Sequence, residues 1–323
     1  MEIMKEKWST PVSTVTIGAT KEDGGTRTSK IVVGGETTLP FLTFEGEIPH
    51  APAIAFEVLD MVPEEYPEAL KDYYGDVMHD PGLWAKKCVE QYGAKLIALK
   101  LLSAHPDQKD SGAEEAKKAV RAVLNAVSVP LIILGPGVHN KDNEVLDAAS
   151  QEASGEKCLI GNATQENYKT IVASAMAGGH SVTGESPIDI NIAKQVNILI
   201  SEMGMPLDRM VIYPTTGALG YGLEYAYSIM ERARLAALMG DKTLAMPMIC
   251  FINAETWRVK ESKADNPIWG DLKKRGPVWE AATAVAFLQA GADILVMSHP
   301  EAVAVVNKTI DELMGKKLAG ARS

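Results

Sequence analysis

Cysteine is scarce in this chain. Cys88, Cys158 and Cys250 are the three present in 323 residues, far apart and with no Cys-x-x-Cys pair. An iron–sulfur cluster ordinarily takes four thiolates, so this chain cannot supply one alone. A disulfide framework is unsupported as well. Cys158 and Cys250 lie in apolar runs, which reads as buried small hydrophobes. Basic charge is also short: 32 Lys and Arg stand against 42 Asp and Glu, a formal net charge of −10. That argues against a nucleic-acid surface, which needs a basic stripe to neutralise phosphate. No apolar run approaches the roughly 20 residues that span a bilayer. The opening residues, MEIMKEKWSTPVSTV, lack the apolar centre of a secretory signal. A cytoplasmic protein is therefore expected.

Several chemical signatures are missing too. No Gly-x-Ser-x-Gly elbow occurs, and no P-loop lysine follows a glycine-rich turn. The six histidines are His50, His79, His105, His139, His180 and His299, and no pair has helical i, i+4 spacing. His105, His180 and His299 could meet at strand ends, but a lone histidine there reads as a hydrogen-bonded structural group. No metal site and no catalytic residue is expected from these patterns.

Past residue 50 a rhythm appears of apolar run, polar loop and helical stretch. The runs are AIAFEVL (53–59), KLIALKLL (95–102), PLIIL (130–134), CLIG (158–161), HSVTG (180–184), RMVIY (209–213), PMICFI (247–252) and ADILVM (292–297). They are rich in Ile, Val and Leu and mostly do not alternate, which suits parallel strands covered on both faces. Between them, Ala116, Ala119, Val120, Val123, Leu124 and Val127 recur at helical spacing, as do Tyr168, Ile171, Val172, Ala175 and Met176. Ser186-Pro187 reads as a helix start. Gly93, Gly178 or Gly179, and Gly291 stand where helices hand over to strands.

Eight such units in about 265 residues predict an α/β fold, a (β/α)8 TIM barrel over 51–323. A doubly wound sheet is the alternative, but no glycine-rich phosphate turn follows the first run. Residues 1–50 stand outside the repeat. STVTIGAT and SKIVVGGE flank KEDGGTR, which predicts an N-terminal β-hairpin extension with Gly24-Gly25 in its turn.

In such a barrel, chemistry gathers on loops at the strands' C-terminal ends. The polar groups there are Ser103 and His105, GPGVHN, NAT (162–164), GES (184–186), PTTGALGYG, NAETW (253–257) and SHP (298–300). Two connections, 60–80 and 253–277, are long enough to suggest function or motion. Trp257, Trp269 and Trp279 crowd the second, and as a cluster they read as a docking surface. Gly217, Gly220 and Gly222 follow the order Gly-x-x-Gly-x-Gly, the reverse of the dinucleotide fingerprint, so they predict a shaped loop more than a phosphate cradle.

The segments PTTGALGYGLEYAYSIMERARLAAL, KLIALKLLSAHP, LIILGPGVHNKDNEVL, LIGNATQENYKTI and ETWRVKE are long and specific. They closely resemble the small subunit of the corrinoid iron–sulfur protein, whose archaeal counterpart is the delta subunit of acetyl-CoA decarbonylase/synthase. The resemblance spans essentially the whole chain. It implies a TIM-barrel subunit, not catalytic alone, in a heterodimer with a large subunit that carries the iron–sulfur cluster. The cobalamin-type corrinoid is then shared, with this barrel's mouth facing it. A methyl group passes from methyltetrahydrofolate, with the help of a separate methyltransferase, to cobalt and on to acetyl-CoA synthase. That is the methyl branch of the anaerobic, carbon-fixing acetyl-CoA (Wood–Ljungdahl) pathway.

Within that resemblance, strand-end position nominates Asn162, Thr164, Thr215, Thr216, Gly217, Asn253 and Glu255 as corrinoid-facing residues. DVMHDPG (76–82) departs from the cobalamin signature Asp-x-His-x-x-Gly by one residue, so His79 is not expected to ligate cobalt. A competing reading is a pterin-binding methyltetrahydrofolate methyltransferase in its own right, with Asn162, Asn253 and Asp60 holding the pterin. A third, an unrelated barrel lyase or aldolase, would need a lysine of depressed pKa. Lys100 is its candidate, but an outward, salt-bridged Lys100 is expected instead.

Overall fold

Each apolar run becomes a strand. The computed structural model describes residues 4–315. Two strands come first, β1 (Thr14–Ile17) and β2 (Ile31–Gly34), paired antiparallel. The eight that follow are β3 (Ala53–Leu59), β4 (Ile97–Lys100), β5 (Leu131–Leu134), β6 (Leu159–Ala163), β7 (Ser181–Glu185), β8 (Met210–Tyr213), β9 (Ile249–Phe251) and β10 (Ile294–Met297). They form one parallel sheet in the order β8-β7-β6-β5-β4-β3-β10-β9. Its two edges meet where Ile212 bridges Met248 and the Ile212 N–H donates to the Pro247 carbonyl at 2.8 Å. The architecture is the expected (β/α)8 barrel, with a thin seam between β8 and β9. HSVTG, the weakest run by pattern, forms β7 one residue later than its motif begins.

The helices are α1 (Glu68–Tyr74), α2 (Pro81–Tyr92), α3 (Ala113–Ala126), α4 (His139–Glu152), α5 (Tyr168–Gly178), α6 (Ile190–Glu202), α7 (Leu223–Leu238), α8 (Ile252–Thr256), α9 (Leu272–Ala290) and α10 (Pro300–Leu313). Helix α3 buries Ala116, Ala119, Val120 and Val123 as its spacing predicts. In α5 the stripe holds except at Met176, which turns outward and is 38% exposed. Gly93, Gly179 and Gly291 end their helices with positive φ, where glycine avoids a Cβ clash. Ser186 does not start α6. Its N–H donates to the Tyr213 carbonyl, tying it to the barrel. Asp189 caps instead, accepting from the N–H groups of Asn191 and Ile192. None of the described helices is long and apolar enough to cross a membrane.

The N-terminal pair plugs one end of the barrel. Val15, Ile17 and Val33 join the barrel's interior layer with Ala55, Leu96, Ala98 and Ile132. Small Ala55 and Ala98 leave the room this insertion needs. The Ser13, Gly18 and Thr28 N–H groups donate to the carbonyls of Ala245, Lys157 and Ser128, all in loops that enter strands. The link between β1 and β2 is not a tight turn. Residues 18–30 run across the barrel bottom, where buried Arg27 pairs with Glu156 at 2.9 Å and donates to the Val127 and Leu124 carbonyls. With the N-terminal end closed, the open end is the one where the strands finish.

Candidate functional site

At that open end lies a cavity of about 350 Å³. Strand alternation decides what lines it. Leu96, just ahead of β4, and Ala98 within it face inward, so Lys100 does too; on β3, Ala55 puts Glu57 in phase. Lys100 is therefore not the outward, salt-bridged lysine expected, because its register points it into the barrel. Glu57, Lys100, Asp142, Asn162, Glu185, Tyr213, Phe251 and Glu255 all line the cavity. The strand order sets Glu57 on β3 opposite Glu185 on β7, and Lys100 on β4 opposite Tyr213 on β8.

Burial dominates the electrostatics of this floor. It pushes the Glu57 carboxyl up, against the Lys100 charge and an Asn253 hydrogen bond. Glu185 is pushed up for the same reason, while Asn162 Nδ2 donates to its Oε2 at 2.9 Å and pulls it back. Asp142 is raised as well, although its Oδ1 accepts the Gly137 N–H at 3.0 Å. Lys100 acts on all three carboxyls through space, and none lies within the 4.0 Å of an ion pair. Asn162 Oδ1 and Asn253 Oδ1 are buried with no donor.

The expected residues divide by position. Asn162, Thr164 and Glu255 line the cavity. Thr164 also starts the turn into α5, its N–H donating to Asn167 Oδ1 at 2.7 Å, and Glu255 pairs with exposed Arg258 at 3.3 Å. Asn253 stands behind the wall, its Nδ2 donating to Ser298 Oγ at 3.1 Å. Thr216 holds the seam, its hydroxyl accepting the Phe251 N–H at 3.1 Å. Thr215 has a left-handed φ of 70° and its hydroxyl donates to the Ser186 carbonyl. Gly217 presses on the next pass of its own loop: a Cβ there would lie 2.7 Å from the Gly222 carbonyl carbon. Asp60 is occupied by Ser103, whose N–H and hydroxyl both donate to its carboxylate. Sequence spacing did not nominate Glu57 or Asp142: strand phase places Glu57 inside, and the first turn of α4 brings Asp142 to the cavity.

The histidines stay apart. His180 lies at the barrel bottom between the Cys158 N–H and the Ser150 carbonyl. His299 caps α10 at the top, where burial lowers its pKa to about 4. His79 is exposed in the turn before α2. Among the described residues, no group of three His, Cys, Asp or Glu is arranged to hold a metal.

The family model for the CO dehydrogenase/acetyl-CoA synthase delta subunit matches residues 14–312, from β1 into α10. The acetyl-CoA decarbonylase/synthase complex subunit delta of Archaeoglobus fulgidus is 41% identical over 327 residues, covering 99% of this chain and 72% of that one. Subunit delta 1 of the same complex in Methanosarcina thermophila is 42% identical over 316 residues, covering 96% and 72%. The chain belongs to the CO dehydrogenase/acetyl-CoA synthase delta subunit family.

For this member of the delta family, solved structures add the fold alone. A Xanthomonas albilineans dihydropteroate synthase with 4-aminobenzoic acid superposes with a TM-score of 0.56 at 13% identity, covering 85% of this chain and 97% of that one. A Coxiella burnetii dihydropteroate synthase with pteroic acid gives 0.57 at 12%, covering 86% and 99%. Both are barrels of the same kind. The three tryptophans do not make one surface on this delta-family barrel. Trp257 is 6% exposed and stacks on His299 at 6.0 Å. Trp279 is half-buried in α9. Trp269 alone reaches solvent appreciably, between the Lys260 and Arg275 cations.

Proposed function

We propose that this chain is the small subunit of a two-subunit corrinoid methyl carrier, and that its open barrel mouth closes over a corrinoid held mainly by the large subunit. The observation that carries this reading is the asymmetry of a delta-family barrel. One end is plugged by the chain's own hairpin, and the other ends in a polar cavity.

The mouth fits a corrinoid as a lid. At about 350 Å³ its cavity is near the bottom of the roughly 300–1,000 Å³ range that swallows a drug-sized ligand. A corrin macrocycle must therefore lie across the rim. Asn162 lines the cavity with its amide fixed by Glu185, a polar patch that suits the amide-bearing edge of the macrocycle. Thr164 and Glu255 face the same space. The corrinoid, when bound, supplies a cobalt that accepts a methyl group and yields it again. The chain's own part is to shield that face from water and fix its approach. Thr215, Thr216 and Gly217 set the rim's shape through Ser186, Phe251 and Gly222.

The partners in this reading are the large corrinoid iron–sulfur subunit, a methyltetrahydrofolate methyltransferase and acetyl-CoA synthase, all in the cytoplasm. The iron–sulfur cluster belongs to the large subunit. Co-expression with that subunit and an ultraviolet–visible spectrum of the purified pair test the idea. A corrinoid spectrum in the pair and none in the lone chain is the expected result. Full corrinoid retention by the large subunit without this chain, with an unchanged spectrum when it is added, would refute the lid.

A further inference from the structure

We propose that the corner of the rim after β8 and β9 is a protein anchor, seated in an apolar socket ringed by carboxylates on the partner. Naming that partner as the large subunit rests on the lid reading; the corner's own chemistry does not.

Four large side chains reach solvent there. Tyr221 and Tyr225 lead into α7, and Ile268 and Trp269 stand in the turn before α9. Ile268 is 91% exposed, more than any other large apolar residue among those described. Glu261 ties the two loops together. Its Oε2 accepts from the Tyr221 hydroxyl at 2.8 Å, and its carbonyl accepts from Arg275 Nε at 2.5 Å. Arg275 also donates to the Gly270 carbonyl at 3.1 Å and to the Ala264 carbonyl at 2.5 Å. Asn266 Oδ1 takes the Ile268 N–H at 3.1 Å. The Lys260 and Arg275 cations lie 5.7 and 5.4 Å from the centre of the Trp269 ring. The turn is therefore fixed before anything binds, which spares the ordering cost of association. A pinned turn that holds isoleucine out in water gains nothing from it within this chain. Tyrosine, tryptophan and arginine around such a tip are the residues that interface hot spots favour.

Charge narrows the occupant. Between 258 and 275, six Lys and Arg stand against three Asp and Glu, while the whole chain carries −10. An acidic surface is repelled by the chain as a whole and admitted at this corner, which fixes its orientation. A lipid bilayer fits less well. Asp265 and Asp271 are exposed on either side of the apolar tip, and an anionic headgroup layer meets the same overall repulsion. Position agrees with the choice of partner: Glu255 and Arg258 of the same connection line the mouth cavity.

The full chain is titrated calorimetrically with the corrinoid-loaded large subunit, at low and at high salt. Ile268→Asp and Trp269→Ala should each weaken pairing about tenfold or more. Lys260→Glu should weaken it and lessen its salt dependence. Met239→Asp is the control, an exposed apolar residue at the far end of α7, and should stay within twofold. Circular dichroism and melting temperature check the folds. Ile268 touches too little of the chain for its change to unfold it, so that variant decides if Trp269→Ala does not fold. Anchor variants within twofold of wild type, an equal loss in Met239→Asp, or pairing indifferent to salt each overturn the proposal. So does binding to phosphatidylglycerol vesicles that Ile268→Asp abolishes. The corrinoid spectrum of the pair reports on the lid separately. Anchor-dependent pairing with corrinoid retention indifferent to this chain removes the lid alone. Retention that needs this chain, with the variants pairing normally, removes the anchor alone. No pairing by the wild-type chain overturns both.

Discussion

Arg234→Met is the perturbation whose cost the structure predicts most directly. The Arg234 side chain is 3% exposed and reaches from α7 to the N-terminal extension and the entry to β10. Its Nη2 donates to Asp293 Oδ2 at 2.6 Å and to the Gly291 carbonyl at 2.7 Å, and Nη1 lies 3.4 Å from Glu36 Oε2. Asp293 Oδ2 also accepts the Met248 N–H at 2.7 Å, which fixes the entry to β9. Burial, with Asp293 beside it, holds the Glu36 carboxyl up at about 8. At neutral pH the cluster is thus an Arg234–Asp293 ion pair beside a protonated Glu36. Methionine fills the volume but strands the Asp293 carboxylate. Breaking one side of a buried pair costs about 3–5 kcal/mol, against a typical total of roughly 5–15 kcal/mol. Urea denaturation at pH 6.5, about 1.5 pH units below the Glu36 value of about 8, should show a loss of that size. The pH dependence has a definite sign. The folded Glu36 pKa lies above its ordinary value of 4.5, so its stabilisation is full below 4.5 and is lost as pH rises through about 8. Glu36→Gln should flatten that decline. A loss below about 1 kcal/mol in Arg234→Met, the range of an exposed pair, would refute the reasoning.

Two further outcomes follow from the plug and the seam. Ile17, fully buried in the hairpin plug, should cost about 2–5 kcal/mol on change to alanine; thermal unfolding checks this, and a change under about half a kcal/mol would mean the hairpin is peripheral. Thr216→Val keeps shape but leaves the Phe251 N–H without its acceptor. A destabilisation of about 1–3 kcal/mol is expected, with faster amide exchange at Phe251 as its signature, and unchanged exchange there would show that the seam does not depend on Thr216.

The barrel was legible because its signal is collective. Eight apolar runs at regular spacing cannot all bury themselves except in a sheet covered on both faces, and a weak signal at one run, such as HSVTG, does not change the total. The cap of α6 was misread because Ser186 and Asp189 are both good capping residues. Ser186 is claimed by the Tyr213 carbonyl, a contact that sequence spacing does not display. The site was harder. Its rim residues were reachable from strand ends, which named Asn162, Thr164 and Glu255. Its charged floor depends on phase within each strand, and runs of unbroken apolar character hide phase. Lys100 and Glu57 follow Ala98 and Ala55 by two positions, which puts both inside, yet alanine fits either face. The tryptophans misled for a related reason: their crowding in sequence is real, but Trp257 turns under the loop to meet His299 while Trp269 turns out.

The central claim is that the strands' C-terminal end is the face presented to a corrinoid-bearing partner. Hydrogen exchange of this chain, alone and with the corrinoid-loaded large subunit, measures it directly. Slowed exchange is expected in the segments after β6, β8 and β9, around Thr164, Gly217 and Glu255, with the loops bonded to the hairpin plug unchanged. Protection confined to the plugged end, around Ser128, Lys157 and Ala245, with the mouth loops unaltered, would contradict it.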